Sequence, residues 1–224
     1  CGEGSVCRAL QSRGAEVVGV DGSPSLIERA RAASPESIRY EVADARNLKA
    51  DTLGAFDAAT CVMAIMNIDP HLAVFKGLAH CLKPGASLVL VLLHPAFRAP
   101  GRSFWGWDDR AENPVQFRRV DAYLSPSAHP VVMNPGAAAH GADPITTTTY
   151  VRPIGAYISA LAQAGFALDA FEEWVSARRS QPGPRATAEN RARREIPLFL
   201  ALRAHRRASS EADAGTPEPS TSTD

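Results

Sequence analysis

The sequence predicts an α/β domain, with a doubly wound, mostly parallel sheet interrupted by one long insertion. Short apolar runs alternate with amphipathic stretches at close spacing between Val17 and Leu93, the pattern of βαβ units with right-handed crossovers. The chain opens on a glycine-bearing turn, Cys-Gly-Glu-Gly, and the helix and strand after it end on an acid, Asp21. Residues 87–93 form an unbroken run, Ser-Leu-Val-Leu-Val-Leu-Leu, behind a Lys83-Pro84-Gly85 stop. A strand buried on both faces reads this way.

The elements follow in order. Val6, Ala9 and Leu10 share a helical face behind Gly4, and Gly14 ends that helix. Residues 16–20 suit a short buried strand. Ser23 is a good N-cap and Pro24 suits the first helical position, with Leu26, Ile27 and Ala30 as the apolar face. Residues 38–42 alternate as a strand that leads to Asp44, and residues 56–63 read as a further buried strand. Asp69 is expected to cap a helix running from Pro70 to about Leu82. Residues 154–164 read as a helix stopped by Gly165, residues 166–174 as the next strand and residues 196–202 as the last one. Residues 178–194 carry six arginines and several breakers, which reads as a solvated surface.

The opening turn points to a nucleoside cofactor. Glycines let the backbone approach a ligand closely, a helix N-terminus favours its anionic part, and an acid at a strand end can take both ribose hydroxyls. Asp21 and Asp44 follow consecutive strands, so both fall at the carboxyl edge of the sheet, where open α/β folds bind ligands. At these residues the chain resembles the class I S-adenosylmethionine (SAM)-dependent methyltransferases, especially their small-molecule "type 11" group. That family has a strand and an acid-x-Gly-x-Gly-x-Gly loop before the helix, and Cys-Gly-Glu-Gly is similar to the second half of the loop. The Leu-Lys-Pro-Gly of residues 82–85 is similar to the family's turn before strand five.

The resemblance implies a Rossmann-like fold, here with its first strand missing and the insertion after strand five. It implies a SAM-binding methyltransferase domain over residues 1–205. SAM is the expected cofactor, bound by Gly2, Gly4, Asp21, Ser23, Asp44, Ala45 and Cys61, with Asp21 on the ribose and Asp44 toward the adenine amino group. Motifs carry the likeness over residues 1–95; order and spacing carry it over residues 152–205.

Residues 95–153 differ in character, holding seven of the 15 aromatics and eight of the 17 prolines. Aromatic richness argues against disorder, so this long irregular segment is expected to cover the substrate. Asn67, Trp105, Trp107, Tyr150 and Arg152 are the candidates for an aromatic-lined acceptor pocket. His94, the first polar side chain beyond the apolar run, is the candidate general base. The expected reaction is methyl transfer to an apolar or aromatic small molecule at an oxygen, nitrogen or carbon. A noncatalytic SAM-binding protein is the alternative, and Asp44 with the Lys-Pro-Gly context disfavours a nicotinamide oxidoreductase.

Other classes are disfavoured by composition and by missing motifs. Lys plus Arg equal Asp plus Glu at 24 each, and residues 66–70 lack the Asn/Asp-Pro-Pro-aromatic signature of methyltransferases acting on exocyclic amines. Nucleic acid is therefore not an expected partner. No apolar run approaches the roughly 20 residues needed to span a bilayer, so no membrane partner is expected. Cys1, Cys7, Cys61 and Cys81 form no metal spacing and read as reduced thiols of a cytoplasmic protein. Residues 206–224, rich in Ser, Thr, Pro and acids, read as a disordered tail.

Overall fold

A computed structural model describes residues 1–110 and 113–208. The N-terminal part contains α1 (Ser5–Gln11), β1 (Val18–Asp21), α2 (Pro24–Ala32) and β2 (Arg39–Val42). After β2 come a 3₁₀ turn (Ala45–Asn47), α3 (Ala50–Leu53), β3 (Phe56–Val62), a second 3₁₀ turn (Ile65–Asn67), α4 (His71–Cys81) and β4 (Leu82–Leu93). The insertion holds β5 (Ser103–Asp108), β6 (Val115–Val120), β7 (Ser127–Val132), α5 (Pro135–Ala139) and β8 (Thr146–Val151). The chain closes through α6 (Ile154–Gln163), β9 (Phe166–Trp174), α7 (Ala186–Glu195) and β10 (Phe199–Arg206).

The strands of the α/β body form two hydrogen-bonded groups. β1 and β2 pair in parallel. A four-stranded sheet has the order β3-β4-β10-β9, parallel at β3–β4 and antiparallel where β10 meets β4 and β9. Among the described residues, β1 and β3 share no ladder. The two groups are joined instead by Leu48, Leu53 and Cys81, which pack against Val18, Val20, Phe56 and Leu78. The main core lies beside β4, where Leu88, Leu90 and Leu92 are each 1% exposed and pack with Phe75, Tyr157, Leu161 and Phe166.

Ser23 caps α2 as expected, its hydroxyl accepting from the Leu26 amide at 3.4 Å. Asp69 does not cap α4; its carboxylate is taken by Arg152 at 2.6 Å, and the N-cap is Pro70. The Lys83-Pro84-Gly85 stop is absorbed into β4. The register slips between Phe56 and Ala58, so the residues opposite form an irregularity rather than a separate turn. β3 was expected to be buried, yet Asp57, Ala58, Thr60 and Val62 are exposed, because β3 is an edge of its sheet.

The insertion is more regular than its sequence suggests. β5 pairs with β6 and β7 with β8, both antiparallel. In β6 and β7 exposed and half-buried residues alternate, but the half-buried side carries Gln116 and Arg118 or Ser127 and His129, so no apolar alternation marks them. Ten of the arginine-rich residues after 178 form α7, which buries only Ala192 and therefore has no apolar stripe to read. No helix among the described residues is long and apolar enough to cross a membrane. Of the expected tail, residues 209–224 lie outside the described residues.

The β1–β2 unit depends on a close approach. A Cβ on Gly19 would lie 2.6 Å from two carbons of the Tyr40 ring and 3.0 Å from Cys7 Sγ. Tyr40 is 3% exposed and its hydroxyl is held by Ser34 Oγ at 2.8 Å, so the ring cannot swing away. Gly19→Ala should therefore destabilise the fold by about 1–3 kcal/mol through overpacking. Gly155→Ala, in α6 with nothing within 4 Å of the new methyl, should stabilise it by about 0.5–1 kcal/mol. Urea unfolding midpoints of the two variants check both signs.

Candidate cofactor and acceptor site

The glycine turn folds back onto the end of β1. The Gly2 amide donates to Asp21 Oδ2 at 2.8 Å, and the Cys1 amino nitrogen donates to the same oxygen at 3.0 Å and to the Val20 carbonyl at 2.7 Å. Asp21 Oδ1 accepts from the Ser23 amide at 3.0 Å. One carboxylate thus ties the turn before α1 to the cap of α2. Burial acts to raise the Asp21 pKa, but the hydrogen bonds from Gly2, Ser23 and Cys1 together hold it below the ordinary carboxylate range.

The two glycines are not equivalent. Gly2 has φ +58° and nothing within 4 Å of a built Cβ, so its backbone faces open space. Gly4 also has positive φ, but a Cβ there would strike the Tyr40 hydroxyl. Gly4 serves packing, and Gly2 is the position at which a ligand can approach. Asp21 has about four acceptor positions, three of them filled, so one lies open on Oδ1 for a hydroxyl donor.

Asp44 stands beyond β2. Its carboxylate accepts from the Arg46 amide at 2.9 Å and pairs with the Arg46 guanidinium at 2.6 Å. That pairing, with a smaller part from the backbone bond, lowers its pKa. Asp44 is exposed, so it can turn toward a ligand. Ala45 begins the following 3₁₀ turn and packs at the margin of the core. Cys61 lies on β3, where burial pushes its thiol up to about 11 against a hydrogen bond with the Ile65 backbone. These residues suit a nucleoside ligand: an open glycine backbone, one partly open carboxylate and one mobile carboxylate at the carboxyl edge of the strands.

Next to this edge is a small pocket of about 30 Å³ lined by Met66, His94, Arg98, Tyr150, Arg152 and Tyr157, among others. Both ends of the insertion contribute to it, residues 95–100 on one flank and residues 149–152 on the other. Arg152 has only 7% of its side chain exposed; one nitrogen donates to the Ile68 carbonyl and to Asp69, and its guanidinium lies 5.0 Å from the Tyr150 ring centre. Asn67 Oδ1 accepts from Thr149 Oγ1 at 3.0 Å, which fastens β8 to the 3₁₀ turn before α4. Burial raises the Tyr157 pKa, and the Arg152 charge opposes it.

His94 is 2% exposed with both ring nitrogens engaged. Nδ1 accepts from the Ala96 and Phe97 amides at 3.2 and 3.4 Å, which leaves Nε2 to donate to Glu173 Oε1 at 2.7 Å. Neither nitrogen has a lone pair free for a substrate proton, contrary to the general-base expectation. Trp105 and Trp107 also lie away from the pocket walls. The guanidinium carbons of Arg98 and Arg118 are 5.0 and 4.9 Å from the centre of the Trp105 ring, and Trp107 carries Arg185 at 4.6 Å. Arg98, Met66, Thr149 and Tyr157 are wall residues that sequence reasoning missed. The cation in Phe97-Arg98, directly after a strand end, was the signal available for Arg98.

Comparison with known proteins agrees with this layout. Residues 1–90 match the model of the family described as "Methyltransferase domain". A crystal structure of an S-adenosylmethionine-dependent methyltransferase from Mesorhizobium loti is similar over 92% of this chain and 88% of its own, with 28% identity and a TM-score of 0.68. Over residues 1–90 this chain therefore resembles the SAM-dependent methyltransferases, and its overall fold is similar to theirs. An amino pentose methyltransferase of calicheamicin biosynthesis from Micromonospora echinaspora, solved with SAM bound, shares the fold at 20% identity and TM-score 0.55 over 92% of this chain and 80% of its own. The ubiquinone biosynthesis O-methyltransferase of Xanthomonas campestris pv. campestris is 36% identical over 97 residues, 42% of this chain and 41% of the relative. The match thus spans less than half of that curated relative.

Because Asp21 is depressed in the folded protein, its ionised form stabilises the fold at every pH above its unfolded value near 3.8. That contribution is lost as pH falls through the lower, folded value. Urea unfolding between pH 5 and pH 2.5 should show an acid-side loss of stability that is smaller in Asp21→Asn, which has no carboxylate to protonate.

Proposed function

We propose that this chain transfers a methyl group from SAM to a small-molecule acceptor held in the pocket between His94, Arg98 and Arg152. The observation that carries the reading is that Asp21, tied to the Gly2 turn, and Asp44 follow the paired strands β1 and β2, while Arg46 links Asp44 to Asp69, the partner of the pocket residue Arg152. Bound SAM supplies an electrophilic methyl on a sulfonium sulfur; the acceptor's lone pair forms the new bond as the carbon–sulfur bond breaks. The chain's own residues do the rest. Asp21 would hold ribose hydroxyls and Asp44 the adenine amino group, with Ser23, Ala45 and Cys61 completing the cofactor-binding set. Met66, Leu93, Ala99 and Val151 give the acceptor pocket an apolar lining that excludes water.

At about 30 Å³ the pocket is far below the roughly 300 Å³ of a small-molecule site. Acceptor entry therefore requires the insertion over residues 95–153 to lift, which makes it a substrate-covering element. Trp105 and Trp107 belong to that cover rather than to the wall, while Asn67, Tyr150 and Arg152 hold its far end. The family match ends at residue 90, before His94 and the pocket, so it supports the cofactor and leaves the acceptor atom open. With zero net charge and no membrane-spanning helix among the described residues, a soluble metabolite in the cytoplasm is the acceptor class we favour.

His94 is a positioning residue in this reading. Its Nδ1 and its carbonyl, which accepts from the Arg98 amide at 2.8 Å, hold the turn that presents Arg98. Acceptor alignment supplies the rate through proximity.

Calorimetric titration with SAM, followed by transfer of a radiolabelled methyl group into metabolite pools, tests the function. Folded protein that binds no SAM would refute it. Asp21→Ala should weaken SAM by about 1.5–3 kcal/mol, the range for hydrogen bonds to a charged partner. His94→Gln should lower kcat less than the roughly 10²–10⁴-fold expected of a lost general base, and the acidic limb of the pH profile should persist.

A further inference from the structure

The acceptor pocket has a cationic wall in which Arg152 is paired with Asp69 at 2.6 Å and Arg98 has no carboxylate partner among the described residues. The Arg98 and Arg118 guanidinium carbons lie 5.0 and 4.9 Å from the centre of the Trp105 ring, and neither arginine forms an ion pair among the described residues. Arg98 gives one long hydrogen bond, 3.4 Å, to the Ile196 carbonyl; Arg118 donates to the Ser103 carbonyl and hydroxyl at 3.2 and 2.8 Å. Arg193 is near enough for its charge to act on Arg98, and its own Nε donates to Ser180 Oγ at 3.2 Å. Burial, then Arg118, then Arg193 bring Arg98 down to about 10. Like charges have been gathered where charge is costly.

Three N–H groups in this region are buried and unpartnered: Arg98 Nε, Arg118 Nε and Arg152 Nη1. Such groups are rare in folded proteins and expensive to leave unmade. Arg98 and Arg152 both line the pocket, and the Arg152 side chain is 93% buried by its 7% exposure. A guanidinium offers its donors in a planar fork suited to an oxyanion and remains charged when buried.

We propose that the acceptor carries an oxyanion, a carboxylate or a phosphate, that binds in this pocket to Arg98 and Arg152. Arg118 and Arg193 stand behind Arg98 and strengthen the local positive field. Trp105 keeps the Arg98 and Arg118 guanidinium planes in place by cation–π stacking. The anion satisfies the unpartnered donors and removes the repulsion between the arginines. This assignment rests on reading the pocket as the acceptor side of a methyl-transfer site.

The test is calorimetric titration of the full chain with benzoate, phenyl phosphate and uncharged benzamide, each with and without SAM. Benzoate or phenyl phosphate should bind and benzamide should bind at least tenfold more weakly; whichever anion is preferred identifies the group. Arg98→Gln should weaken the anion by about 10–100-fold, the equivalent of one charged hydrogen bond. Arg98→Lys should recover part of that loss. Arg119→Gln, at an exposed arginine paired with Asp121 at 2.7 Å, should change nothing. Should Arg98→Gln fail to fold, the arginine Nε–H resonances of the wild-type protein decide: those of Arg98 and Arg118 should shift with benzoate and stay still with benzamide.

Equal affinity for benzoate, phenyl phosphate and benzamide overturns the proposal. So does anion binding that survives Arg98→Gln but is lost in Arg179→Gln, which would place the anion in the open cleft of about 550 Å³ beside α7. SAM binding without anion binding leaves the methyl-transfer function standing and removes only this inference. Anion binding by a protein that does not bind SAM removes the acceptor assignment.

Discussion

The rest of the structure depends on β4. It is the one strand hydrogen-bonded to both a parallel and an antiparallel neighbour, β3 on one side and β10 on the other. Burying each of Leu88, Leu90 and Leu92 contributes on the order of 1.5–3 kcal/mol, and the layer they form supports α4 and α6. Wherever β4 ends, the chain must leave the sheet, and it leaves at His94. The turn held by His94, the entry to the insertion and one wall of the pocket are all consequences of that exit point.

A second constraint works on the N-terminal side. Gly19 and Gly4 let α1 and the β1–β2 pair close on the Tyr40 ring, and Asp21 stitches the opening turn to α2. With no ladder between β1 and β3 among the described residues, this unit reaches the larger sheet only through side chains such as Leu48, Leu53 and Cys81. Cofactor residues therefore come from two bodies of structure held together by a small apolar seam. Asp21 and Asp44 lie on one side of that seam, Cys61 on the other.

Polar networks order the acceptor side. Arg152 links β8 to the segment before α4 through Ile68 and Asp69, and Thr149 does the same through Asn67. The Tyr123 hydroxyl accepts from the Ile154 amide at 2.8 Å and so satisfies one of the orphan donors at the start of α6. Each of these contacts crosses between the insertion and the body, and all of them come from its second half, residues 123–152.

The sequence by itself determined the alternation of strands and helices, the Ser23 cap and the glycine turn with its two acids, because each depends on neighbours a few positions away. It also offered Tyr150 and Arg152 as candidates for an acceptor pocket, and both line the small pocket after β4. Contacts across 79 to 85 positions, such as His94 with Glu173, Arg152 with Asp69 and His71 with the Ala156 carbonyl, leave no local trace, so only the tertiary structure decided them. Strands β6 and β7 were illegible because their half-buried sides are polar at Gln116, Arg118, Ser127 and His129, and α7 because a helix burying one alanine needs no stripe. The role of His94 was decided by tertiary structure for the same reason. A histidine at a strand end can be a base or a brace, and the carboxylate and amides that settle its nitrogens are assembled only when β9 and the turn after β4 come together.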